Sequence, residues 1–70
     1  MTRRRDLTIK IYTTGWHGDA EIISRHRSMT AARRAFTWTL NNGFEHLGLR
    51  RGQIVQLVND GVVQNTGTVR

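Results

Sequence analysis

The residue types that most often carry bond-making chemistry are few in this chain: three histidines and five carboxylates. His17, His26 and His46 do not recur at the spacing of metal-ligand pairs, and Asp19 alone does not complete a ligand set. There is no cysteine, so neither a thiolate zinc site nor a disulfide is available. The stretch Ser24-Arg25-His26-Arg27-Ser28 sets serine beside histidine. Neighbours on a strand point to opposite faces, however, so no nucleophile–base pair is expected there. Asp6, Asp19, Glu21, Glu45 and Asp60 are scattered, with no two placed for acid–base work. Gly15 and Gly18 are too few for a phosphate-cradling loop and precede a weak strand. The expectation is a domain that binds rather than catalyses, with no cofactor, no metal and no small-molecule substrate.

The chemistry the sequence does favour is anion recognition. Eleven basic residues stand against five acidic ones, a net charge of +6, and all but Lys10 of the basic residues are arginine. Arginine presents a planar fork of donors suited to phosphate and carboxylate, and it stacks on flat rings. A GC-rich coding preference accounts for arginine over lysine but not for the net charge, which favours an acidic partner. Between Ile22 and Phe44 there is no acid, yet Arg25, Arg27, Arg33 and Arg34 all lie there, with His26 among them. Arg3 to Arg5 and the pair Arg50 and Arg51 add to the positive field. Arg33 and Arg34 fall early in an expected helix, where the backbone dipole is positive and a cation costs about 0.3–1 kcal/mol. With no acid in that helix, no i,i+4 pair relieves them. Arginines around a helix start converge with backbone N–H groups on one volume, an arrangement that suits an anion. A solvated polar face is the alternative.

Two tryptophans supply the apolar side of a contact. Trp38 lies about 160° from Phe36 on a helical wheel, beside Arg34 and Asn41 and opposite the core stripe. A tryptophan on the outer face of a lone helix exposes area that a soluble monomer normally buries. A tail or the Trp16 loop folded over it, a dimer or partner hot spot, and stacking on an unpaired base are the three ways to use it. Trp16, beside His17 in a glycine-flanked loop, either anchors back on its own domain or protrudes towards a partner. Tyr12 shares the polar face of its strand with Thr8 and Lys10, and becomes a stacking residue if that face is open.

The elements that must position these groups follow from periodicity. Leu7 to Thr13 alternates apolar and polar, as a half-buried strand does. Thr14 to Asp19 reads as a loop, and Ala20 to Arg27 as a second strand whose alternation is blurred at Ile22-Ile23. Simple alternation sets Glu21, Ile23, Arg25 and Arg27 on one of its faces, and Ala20, Ile22, Ser24 and His26 on the other. Ser28 or Thr30 caps a helix whose core stripe is Met29, Ala32, Phe36 and Leu40. Asn41-Asn42-Gly43 supplies a stop, although the stripe extends to Leu47 and permits a helix running to Gly48. Gln53 to Asn59 and Val62 to Val69 form a hairpin about Asp60-Gly61. The order β-β-α-β-β implies an α+β domain, a four-stranded antiparallel sheet with one helix packed on one face.

Residues 1–70 make a single small basic domain, with 1–5 expected as a flexible basic terminus. No apolar run approaches the roughly 20 residues that span a bilayer. The start lacks the apolar core of a signal peptide, so a cytoplasmic location and no membrane partner are expected. At this length, and without disulfides, a homodimer through the Trp38 helix face would add core that the monomer lacks. The expected function is a nucleic-acid-binding module in which Arg25, Arg27, Arg33, Arg34, Arg50 and Arg51 neutralise phosphates and Trp38 or Trp16 makes the apolar contact. The other class is a protein–protein inhibitor or adaptor docking on an acidic surface of a larger protein. In size and in lack of cysteine the chain is similar to small phage and mobile-element inhibitors, anti-CRISPR proteins among them, but no residue carries that similarity.

Overall fold

A computed structural model of the chain describes residues 9–14 and 20–70. Arg3 to Arg5 and the Trp16-His17 loop, with the expectations attached to them, lie outside the described residues. Four strands and one helix follow in the order β1 (Ile9–Thr14), β2 (Ala20–His26), α1 (Met29–His46), β3 (Ile54–Asn59) and β4 (Val62–Thr68). All neighbouring strands pair antiparallel in one open sheet of order β2-β1-β3-β4, which makes the protein a small α+β domain. Because β2 and β3 flank β1, they run parallel to each other, and α1 is the crossover that joins them. The helix packs on β1, β2 and β3 across one face of the sheet.

The core sits between α1 and that face. Alternation in the two central strands sends Ile9, Ile11, Val55 and Leu57 towards the helix, where Ala32, Phe36 and Val69 meet them. Met29 and Leu40 of the expected stripe pack against the same cluster. Thr13 and Thr39 are the buried polar side chains among the described residues. Both find partners: Thr13 Oγ1 donates to Ile54 O at 3.1 Å and accepts from Gln53 Nε2 at 2.7 Å, while Thr39 Oγ1 donates to Ala35 O at 2.7 Å.

A β-bulge corrects the expected faces of β2. Ile11 pairs with Ser24 but Tyr12 pairs with Ile22, so Ile23 is the extra residue and the alternation changes phase there. Ser24 and His26 therefore share the helix side with Glu21, and Ile22 and Arg25 share the opposite side. The blurred pattern at Ile22-Ile23 was the trace of this bulge.

The helix does not stop at Asn41-Asn42-Gly43 but runs on to His46, the longer of the two expected limits. Gly43 is buried within it, and a Cβ there would stand 2.8 Å from Leu49 Cδ1. The glycine is a notch for Leu49, not a terminator. Termination falls at Gly48, whose φ of 71° turns the chain so that Leu49 N donates to Gly43 O at 3.0 Å. At the hairpin, Asp60 and Gly61 both take positive φ, 53° and 81°, as a type I′ turn requires. Among the described residues no helix is long and apolar enough to cross a membrane.

Candidate functional site

The outer face of α1 starts from its cap. Ser28, not Thr30, is the N-cap, and its side chain accepts from Ala31 N at 3.0 Å. No acid stands in the first turn. With the cap at Ser28, Arg33 and Arg34 fall in the second turn, where the dipole effect has weakened to the low end of its range. Both are exposed. They line one open groove of about 530 Å³ with Thr37, Trp38, Asn41 and Asn42.

Trp38 keeps 46% of its surface exposed, as expected from its place opposite the core stripe. Its ring lies 5.8 Å from that of His46, tilted by 35°, and its backbone carbonyl accepts from Asn42 Nδ2 at 3.1 Å. The His46 ring meets the indole from its C-terminal side, and the groove shared with Arg34 lies on the other. The longer helix does acquire one acid, Glu45, contrary to the expectation of none. It stands eleven residues beyond Arg34, about 16 Å along the axis. No ion pair among the described residues engages Arg25, Arg27, Arg33 or Arg34.

The remaining arginines are distributed over other surfaces. Arg27 is exposed immediately before the cap, close to the start of α1. Arg25 projects from the far side of the sheet, directly opposite Lys10 on β1. Arg50 and Arg51 follow the other end of α1, separated from Arg27 by a helix about 27 Å long. There the Arg51 guanidinium sits 4.2 Å over the Phe44 ring, a cation–π contact that covers part of an exposed aromatic. The six arginines thus do not form one patch: Arg33 and Arg34 share a groove with Trp38, Arg27 borders the helix start, and Arg25, Arg50 and Arg51 lie elsewhere.

One exclusion drawn from the sequence is corrected. Ser24 Oγ and His26 Nε2 lie 2.8 Å apart, because residues two apart on a strand share a face. Ser24 is two residues from His26, and this i,i+2 spacing was the signal to use. No group of three histidine or acidic side chains that could hold a metal ion occurs among the described residues.

The fold and this face together define a small α+β domain that presents an acid-free, tryptophan-bearing groove on its single helix. Comparison with protein-family models, with curated proteins and with solved structures finds no match.

Proposed function

We propose that this protein is a nucleic-acid-binding module that contacts the phosphate backbone through the outer face of α1. The observation that carries the reading is the convergence of Arg33, Arg34 and the half-exposed Trp38 on one groove whose lining holds no acid, Glu45 standing about three turns beyond Arg34 and about two beyond Trp38. Two guanidinium forks supply charge-assisted hydrogen bonds to phosphate oxygens. Thr37 and Asn41 add neutral hydrogen-bonding groups of the kind that fix a helix in register on a duplex. Trp38 supplies apolar contact in a region otherwise made of polar groups. A lone exposed helix is also of a width that the major groove of a duplex admits. Arg27, at the start of the helix, extends the phosphate track by one contact.

Fluorescence anisotropy with a labelled duplex tests this. Binding should be measurable at about 50 mM salt and should weaken steeply as salt rises, because each neutralised phosphate releases counterions. Sequence preference should be slight. Absence of binding at micromolar protein and low salt, together with retention of one defined protein after nuclease treatment of a lysate, would replace this reading with docking on an acidic protein surface.

A further inference from the structure

The face of the sheet that α1 does not cover carries a second pair of cations. Lys10 and Arg25 are direct cross-strand partners on it. Like charges directly opposite destabilise a strand pair, and Lys10 is half-buried, which adds a desolvation cost. The described carboxylates do not relieve them. Glu21 pairs with Thr13 on the helix side, Glu45 is on α1 and Asp60 is in the β3–β4 turn. Two residues from Lys10 along β1, about 7 Å, the same face carries Tyr12, with Gln56 opposite it on β3. Around Tyr12 is a shallow depression of about 330 Å³ walled by Ala20, Ile54, Gln56, Val58 and Val63. Ile22, Ile54 and Val63, all on this face, remain 40–48% exposed.

We infer that this open sheet face holds an unpaired strand of nucleic acid, with one base stacked on Tyr12 and an adjacent phosphate held by Lys10 and Arg25 together. The inference rests on the reading that the chain binds nucleic acid, but assigns a different surface and a different form of it. Charge decides the occupant. A second copy brings the same two cations and no described carboxylate to neutralise them, whereas a strand brings one phosphate per nucleotide. The aromatic face and the flanking aliphatic side chains receive the flat base, since stacking is open to any base and needs no hydrogen-bond code. Gln56, a donor and acceptor beside Tyr12, faces the edge of that base. Duplex on α1 and unpaired strand on the sheet lie on opposite sides of the domain, so one chain can hold both at a junction between them.

Tyr12 is the only tyrosine, so its ring protons give an unambiguous NMR signal. Titration with a short oligodeoxyadenylate should move that signal upfield, and a hairpin duplex should leave it in place. Tyr12→Leu should weaken binding of the oligomer by about 5- to 150-fold, and Tyr12→Phe, which keeps the ring, should restore it. If the oligomer binds with the Tyr12 signal unmoved and its affinity falls only in the Arg33→Gln/Arg34→Gln protein, the sheet site is overturned and the helix reading stands. If neither duplex nor oligomer binds, both fall. Movement of the signal only with anionic vesicles, or only with rising protein concentration, assigns the face to lipid or to a second copy and overturns the proposal.

Discussion

Replacing Arg33 and Arg34 together with glutamine separates what these residues do for the fold from what they do for a partner. Glutamine matches arginine closely in helix propensity and keeps a polar side chain, so the change removes charge and little else. With Ser28 as the cap, both positions lie in the second turn. Relief of the dipole is then worth at most about 0.3 kcal/mol each. In a domain of this size about 1 kcal/mol moves Tm by roughly 4–8 °C, so the melt should stay in place or rise by about 2–5 °C. Binding moves the other way. Loss of charge-assisted hydrogen bonds costs about 1.5–3 kcal/mol, or roughly 10- to 150-fold in affinity. Two phosphate contacts also contribute about 1.8 to the slope of log affinity against log salt. The gap between wild type and variant should therefore narrow by about 12-fold as salt rises from about 50 to 200 mM. A circular-dichroism melt and an anisotropy titration at both salts measure all three quantities. An unchanged slope, or a Tm that falls by several degrees, would refute the reasoning and return both arginines to a solvated polar face.

The cap, two glycines and the exposed tryptophan each give a further check. Ser28→Ala removes the side chain that accepts from Ala31 N and should cost about 1 kcal/mol in thermal denaturation, whereas Thr30→Ala should not reproduce that loss. Gly48→Ala meets no nearby atom but forces a φ of 71° on a side chain, and should destabilise by about 1–2 kcal/mol in a denaturant titration. Gly43→Ala should change the same titration by less than about 1 kcal/mol. The gain in helix propensity there offsets a clash with the movable end of Leu49. Trp38→Ala removes a side chain outside the core cluster, so Tm should shift only slightly, while duplex affinity falls by about tenfold or more.

Much of the fold was legible because its signals are local. Alternation in β1 and β3, the stripe from Met29 to Leu40, and Asp60-Gly61 at the turn each specify an element without reference to the rest of the chain. Where the reading missed, the deciding contact was distant in sequence or had two meanings. Asn41-Asn42-Gly43 has the composition of a helix stop, but Gly43 is kept small by Leu49 folding back on it. Gly67, too, is approached by something outside its own strand: a Cβ there would stand 2.7 Å from Leu40 Cδ1. The Trp38 face was legible from the wheel alone, since three residues a turn apart need only the helix to be right. The separation of Arg25 from Arg33 was not, because it depends on a bulge that shifts β2 by one residue.

That separation changes what the charge means. Read along the chain, Arg25, Arg27, Arg33 and Arg34 form one basic run. In the fold the run is divided by the sheet, and each half sets cations where the local structure disfavours them. Arg33 and Arg34 stand near the positive end of α1 with no acid in the first turn, and Arg25 stands opposite Lys10 with no described carboxylate on its face. A solvated surface gains nothing from either placement, since an acid three or four residues from Arg34, or one across from Lys10, would relieve the repulsion at no cost to the core. Each cation pair is also next to an aromatic ring that is not fully buried, Trp38 on the helix and Tyr12 on the sheet. Anion and flat ring are what a nucleotide offers together. The recurrence of that pairing on two faces, through unrelated backbone geometry, is the ground on which we propose a nucleic-acid partner.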